Sequence, residues 1–340
     1  MYSIQIFRAI AAIMVVLIHL GTYEEKLFMN ASILNKFVIG IGGVDIFFIL
    51  SGYIMMTSIS KNNVTASTFL KNRFIRIYPI YWIFFLILLL IAILTSIQIN
   101  SYSNAELIYN FFLLPSKTNP LLNVSWTLVY EVFFYINISI LLFLNIRKIE
   151  VILILLTIEF CFMYIYYDIT GIYFSTLIFE FLFGIVIFIF QKNKKLNIKW
   201  TSISSIISIF YLFFLNNNLF YFESFNLLGN GVYDDRVIYF GIPFMFILLG
   251  AISLENYINT KNIVIKSLNT IGNASYSLYL IHYFIIVAYY QLMQKIIIND
   301  NIYIHILSLI LIFLIIILVS IIFNKYIEDE LLYSIKKKFK

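Results

Sequence analysis

The chain of 340 residues is 62% hydrophobic and 19% aromatic, and only 12% of its residues are charged. Soluble domains are roughly 45–50% apolar and 25% charged, so this composition excludes an ordinary soluble globular protein. The net charge of +6 does not indicate nucleic-acid binding, because the basic residues form short clusters between apolar segments, and the single cysteine, Cys161, excludes an internal disulfide framework.

Apolar stretches long enough to cross a membrane follow one another along the whole sequence. The first contains Arg8 and has no small-residue cleavage site after it, so it is predicted to be a membrane span and not a signal peptide. Segments such as 303–324 are apolar on every face, which favours helices over the strands of a barrel. We predict a single all-α membrane domain over 1–340, with no appended soluble domain. Its ten or so spans lie near 4–21, 38–59, 74–97, 125–145, 150–167, 172–191, 201–219, 237–254, 272–294 and 303–324.

Lysine and arginine are unevenly distributed between the two sets of loops. With ten spans, one side receives the clusters within 61–76, 147–148, 192–199 and 261–266 and the basic tail of the chain. The positive-inside rule therefore places both termini in the cytoplasm. The opposite side has two longer loops, near 98–124 and 220–236, which could form an entrance for an outside substrate. Its basic residues are Lys26, Lys36, Lys117, Arg236 and Lys295.

Ionisable residues inside the spans are candidates for function, because each costs about 2.5–3.5 kcal/mol to insert. Arg8 and His19 are eleven residues apart, so they share one helix face and lie roughly 16 Å apart along its axis. Glu159 and His305 are assigned to packing or interface roles. The residues within spans are Arg8, His19, Asp45, Glu131, Glu159, Glu180 and His282.

Two further arginines lie where the third span leaves the cytoplasm. Arg73 and Arg76 are at i, i+3 and share a helix face. Alone they would be ordinary positive-inside anchors, but together with Arg8 they could form a basic cytoplasmic mouth.

Carboxylates and histidines are predicted nearer the outer face. Asp45 and Glu131 each lie roughly 10 Å deep, in the same half of the membrane as His19. A histidine beside a carboxylate can act as a general base toward a hydroxyl. For His282, an interhelical hydrogen bond and a substrate role are both compatible with the sequence.

Five segments, in this order, resemble the membrane-bound acyltransferase family 3: IFRAIAAIMVVLIH, GGVDIFFILSGYIM, FLKNRFIRIYPIYW, NVSWTLVYEVFFY and GNASYSLYLIH. Bacterial members of this family acylate O-antigens, capsules and other envelope glycans. The resemblance implies a ten-helix protein of the bacterial inner membrane. It also implies transfer of an acyl group, commonly acetyl from acetyl-CoA, to a hydroxyl of a glycan or of its lipid-linked precursor.

The resemblance also implies roles for ten residues. His19 is similar to the family's essential histidine, and either direct transfer or an acyl-histidine intermediate remains open. Asp45 would orient His19 or hold local structure. The implied donor site, which would bind the CoA phosphates, is Arg8, Arg73 and Arg76, with Ser51 close to the donor. The implied catalytic residues are His19, Asp45 and Glu131, and the implied substrate-binding residues are Trp126, Tyr279 and His282.

A polytopic transporter or flippase is the alternative interpretation, since it would also carry charges at mid-membrane. It predicts paired halves with helices broken by glycine or proline. The sequence shows no internal repeat and contains only 12 Gly and 4 Pro. The expected partners are acyl-CoA, a glycan acceptor and membrane lipids, and no metal or nucleic acid is predicted.

Overall fold

The computed structural model describes residues 1–27, 34, 37–61, 64–95, 102–116, 118–166, 175–194, 196–219, 236–296 and 302–338. These residues are almost entirely helical, and no strand occurs among them. The prediction of an all-α protein is confirmed. Lys36, Lys117 and most of the predicted loop at 220–236 lie outside the described residues.

The described residues form thirteen α-helices, extended in places by short 3-10 or π-helical turns. The helices are α1 (Tyr2–Leu27), α2 (Gly43–Ile59), α3 (Ala66–Thr95), α4 (Asn104–Phe111), α5 (Trp126–Phe143), α6 (Ile149–Ile165), α7 (Phe179–Lys192), α8 (Ile198–Leu219), α9 (Ile242–Ser253), α10 (Ile263–Asn273), α11 (Ser275–Ile296), α12 (Ile302–Phe323) and α13 (Asp329–Lys338). The turns are Val38–Gly42, Asn123–Ser125, Thr176–Ile178, Val237–Gly241, Glu255–Tyr257 and Asn324–Glu328.

A helix stands at each of the ten predicted spans, but only some are long enough to cross a bilayer alone. Seven helical segments among the described residues have that length and hydropathy: Tyr2–Leu27, Val38–Ile59, Ala66–Leu94, Asn123–Phe143, Ile198–Asn217, Ser275–Lys295 and His305–Lys338. Val237–Ser253 is apolar but shorter. The count of ten spans and the orientation of the termini stay predictions.

Helix α3 begins eight residues before the apolar stretch 74–97 from which it was predicted. Thr65 and Thr68 cap its start, since the hydroxyl of Thr65 accepts from the Thr68 amide at 3.2 Å and that of Thr68 accepts from the Thr65 amide at 3.0 Å. Arg73 and Arg76 are therefore inside a regular helix, and their side chains are held on a fixed face.

The unpredicted helix α4 folds back against α3. Tyr78, Tyr81 and Trp82 donate to the carbonyls that end α4, at 2.9, 2.6 and 2.9 Å. Tyr78 lies 17 residues before the end of α3 at Thr95, about 26 Å along the helix axis. The described stretch 102–116 of the loop predicted near 98–124 therefore reaches far down the side of α3.

Glycines allow a close contact between α2 and α7 in the core. A Cβ at Gly52 would lie 2.0 Å from the Phe181 carbonyl oxygen, and one at Gly184 would lie 2.0 Å from that of Ile49. Only a residue without a side chain fits at these two positions. The backbones of α2 and α7 therefore lie in direct contact beside Ser51.

Candidate functional site

A cavity of about 910 Å³, including its open mouth, lies among α1, α2, α3, α5 and α11. Six of the ten predicted site residues line it together with apolar side chains such as Phe47, Leu50 and Met55. Three guanidinium groups and one carboxylate therefore converge on a largely apolar space. The six are Arg8, Ser51, Arg73, Arg76, Glu131 and Tyr279.

Arg8 and Arg73 keep much of their hydrogen-bonding capacity. Arg8 donates through Nη1 to Gln5 at 3.3 Å. The Arg73 guanidinium lies 5.8 Å from the ring centroids of both Phe69 and Tyr135, and its Nε is buried without a hydrogen-bond partner. A buried donor that lacks a partner fits an anionic ligand, and guanidinium groups suit phosphate oxygens. These residues therefore could bind a phosphate group.

Arg76 is held by a carboxylate that the sequence analysis missed. Its Nη1 lies 2.7 Å from Oε1 of Glu328, and Ser277 donates to the other carboxylate oxygen. The guanidinium also lies 5.4 Å from the ring centroid of Tyr276. Glu328 sits in a basic C-terminal segment, and only its position directly after an apolar span could have drawn attention to it.

Glu131 faces the arginines and is oriented by two hydroxyl groups. Ser51 donates to its Oε1 at 3.2 Å, and Tyr135, one helical turn further on, donates to the same oxygen. The structure thus groups Glu131 with the arginine cavity, whose lining does not include His19. Its catalytic role stays a prediction.

His19 of α1 and His282 of α11 form a pair with ring centroids 5.0 Å apart and planes inclined at 69°. Nδ1 of His19 lies 2.8 Å from the Val15 carbonyl oxygen, and Nδ1 of His282 lies 3.0 Å from that of Leu278. Because a carbonyl can only accept, both Nδ1 atoms carry the hydrogen and each Nε2 has a free lone pair. His19 is partly exposed, whereas His282 is fully buried and its Nε2 has no hydrogen-bond partner.

Tyr279 lies between the cavity and the histidine pair. It lines the cavity, and its ring centroid is 6.0 Å from that of His282. Its hydroxyl donates to the Val124 carbonyl and accepts from Thr127 at 2.6 Å. These bonds fix the start of α5 to α11, and one anchored tyrosine adjoins both the arginine cavity and the histidine pair.

Asp45 lies in a buried ion pair with Arg236. Its Oδ2 is 2.6 Å from Nη2 and 3.0 Å from Nε of Arg236, whose Nη2 also donates to the Ile41 carbonyl at 2.7 Å. The Glu180 carboxylate is also buried and lies within electrostatic range of Asp45 and Arg236. Of the two interpretations of Asp45, these contacts support the local structural one. Arg236, counted among the outer-loop cations, is instead only 6% exposed.

The remaining predicted site residue, Trp126, begins α5 and packs edge-on against Phe48 and Tyr130, with centroids 6.3 and 5.8 Å apart. It does not line the cavity, and its substrate role stays a prediction. Within the described ranges, no group of three or more His, Cys, Asp or Glu side chains could hold a metal ion.

Comparison with known families identifies the family of this chain. The sequence model of the acyltransferase 3 family, described as an acyltransferase domain, matches residues 1–325. The chain belongs to the acyltransferase 3 family. The resemblance of its five motifs is thereby confirmed, and the protein is a membrane acyltransferase. The match favours this interpretation over a transporter.

The acyltransferase is also similar to the exopolysaccharide production protein ExoZ of Rhizobium meliloti (strain 1021), with 30% identity over 107 residues. That match covers 30% of this chain and 34% of ExoZ, so the chain spans about a third of the relative that it matches. No solved structure matches the acyltransferase.

Proposed function

We propose that this acyltransferase moves an acyl group, most simply acetyl, from cytoplasmic acyl-CoA to a hydroxyl of an envelope glycan or of its lipid-linked precursor. The protein would be a multi-pass component of the bacterial inner membrane with both termini in the cytoplasm. The observation that carries the proposal is that Tyr279 lines the arginine cavity and also lies beside the His19–His282 pair, so the arginines and the histidines adjoin one another.

Donor binding is assigned to the arginine cavity. Acetyl-CoA carries a diphosphate and a 3′-phosphate on one half and a thioester at the end of a long, flexible arm. Arg8 and Arg73, supported by Arg76, would bind the phosphates, and the apolar lining would accept the arm. Ser51 and Glu131 also line this cavity. The negative charge of Glu131 would partly offset the positive charge of the arginines.

Chemistry is assigned to His19, which is the accessible member of the histidine pair. Its Nε2 lone pair would take the proton of the acceptor hydroxyl while the hydroxyl oxygen attacks the thioester carbonyl. As the carbon–sulfur bond breaks, the proton passes from His19 to the leaving sulfur, so the products are an ester and a free thiol. The Val15 carbonyl would hold the ring in the tautomer that this step needs.

The acceptor class is proposed from the family and from the name of the similar exopolysaccharide production protein. Exopolysaccharide, capsule and lipopolysaccharide sugars all present hydroxyl groups that this chemistry can acylate. Mass spectrometry of surface glycans from cells with and without the gene tests the proposal. We expect glycans that lack an acyl group in the deletion strain, restored by the intact gene and not by the His19→Ala variant. Identical glycans in both strains would contradict it.

A further inference from the structure

The Glu328 carboxylate stands behind Arg76 and does not face the cavity. Glu328 is fully buried, whereas the Arg76 side chain is 32% exposed and lines the cavity. One carboxylate oxygen binds Arg76 and the other accepts from Ser277. A ligand in the cavity would therefore meet the guanidinium and not the carboxylate.

The contacts of Arg76 fix the plane of its guanidinium. Glu328 engages one of the five N–H donors, and Tyr276 lies against the group with its own hydroxyl bound to the Ile77 carbonyl at 2.7 Å. The other donors remain available for an anion on the cavity side. A guanidinium fixed in this way loses less side-chain entropy when it binds phosphate than a freely rotating one.

The Glu328 carboxylate also counters the repulsion between the positive charges of Arg8 and Arg76. Arg8 lies within electrostatic range of Arg76, Glu328 and Glu131. Like charges that share a poorly solvated site repel each other, and Arg76 would turn away from Arg8 unless something held it. The ion pair with Glu328 prevents this movement. Glu328 ends the π-helical turn Asn324–Glu328 and lies three residues beyond the end of the family match at residue 325.

We propose that Glu328 is a positioning residue for anion binding. It holds Arg76 so that the free donors of the guanidinium face the cavity, where they bind the diphosphate of the acyl donor. The identity of that donor rests on the proposed function, but the positioning of Arg76 does not. Inorganic pyrophosphate is therefore a suitable probe of the arginine cavity beside CoA itself.

The test is a double-mutant cycle on the full-length purified protein. Binding of pyrophosphate and of CoA is measured by calorimetry for Glu328→Gln, Arg76→Gln and the double variant. Gln keeps the volume and the bond to Ser277 but removes the charge. Glu330→Gln is the matched control, because Glu330 is an exposed residue two positions away. Glu328→Asp, which keeps the charge on a shorter side chain, should restore part of the affinity.

We expect Glu328→Gln to weaken binding of both ligands by about 3- to 10-fold, less than the loss of Arg76 itself, since the cation is retained but no longer fixed. The same substitution should have no further effect in the Arg76→Gln background, and Glu330→Gln should bind normally. An equal loss with and without Arg76, or tighter binding by Glu328→Gln, contradicts the inference. One further outcome separates the inference from the proposed function. If Glu328→Gln weakens pyrophosphate binding only when Arg76 is present, but the unsubstituted protein does not bind CoA, the inference is supported and the proposed donor is contradicted.

Discussion

His19 and His282 meet between α1 and α11 with ring centroids 5.0 Å apart, and each ring is anchored by Nδ1 to a carbonyl of its own helix. The anchoring leaves both Nε2 atoms as acceptors. The sequence allowed an interhelical hydrogen bond for His282, but the bond found for this ring lies within α11. This pair leads to the first prediction.

We expect His282→Asn to lower acyl transfer by up to about 100-fold without loss of folded protein. An asparagine amide can replace Nδ1–H as a donor to the Leu278 carbonyl, and the atom that disappears, Nε2, has no partner to lose. Transfer rates and thermal unfolding of the purified variant provide the measurement. Normal turnover in this variant would show that His282 only fills space.

Asp45→Asn should destabilise the protein by about 3–5 kcal/mol, because it leaves the buried Arg236 guanidinium without its counter-ion. The double variant Asp45→Asn/Arg236→Gln should regain part of that loss. Thermal unfolding in one detergent, together with transfer per mole of folded protein, provides the measurement. A stable but inactive Asp45→Asn protein would favour the catalytic role over the structural one.

Gly52→Ala should destabilise the contact between α2 and α7, by about 1–3 kcal/mol or more, since the added Cβ would lie 2.0 Å from the Phe181 carbonyl oxygen. Thr57→Ala, at an exposed position of the same helix, is the matched control and should stay within about 0.5 kcal/mol of wild type. Unfolding temperatures of the two variants give the comparison. Equal stability of both would mean that the helices are not in close contact.

Reporter fusions to the C-terminus should be active only with a reporter that works in the cytoplasm. The reason is the excess of Lys and Arg on one set of loops, which grows when the buried Arg236 is no longer counted on the outer side. Fusions of green fluorescent protein and of alkaline phosphatase make the measurement. Phosphatase activity at the C-terminus would reverse the orientation.

Hydropathy predicted the long helices well because a span of about 20 apolar residues has few alternatives to a helix in a bilayer. It missed α4, which has only eight residues and is defined by its cap at Ser103 and by bonds from Tyr78, Tyr81 and Trp82. The capping box of Ser103 and Glu106 is a local signal for the start of α4, whereas its position against α3 depends on tertiary contacts.

Residue spacing and topology predicted that three arginines of the candidate site lie together. The i, i+3 pair Arg73 and Arg76, with Arg8, does reach one cavity. The partners of these charges could not be predicted, because Arg76 pairs with Glu328 across 252 positions, and Asp45 pairs with Arg236 across 191. Pairing over such distances is decided by helix packing, and one sequence contains no measure of it.

In this account the arginines bind the acyl donor and His19 carries out the transfer. The most direct test measures CoA binding and acyl-transfer rates across donor concentrations for two variants. Arg73→Ala should raise the donor dissociation constant by roughly 10- to 150-fold, with turnover partly restored at high donor concentration. His19→Ala should bind CoA almost normally and turn over little at any concentration. If Arg73→Ala binds CoA as tightly as wild type, or if His19→Ala loses CoA binding, the two halves of the site do not divide the reaction in this way.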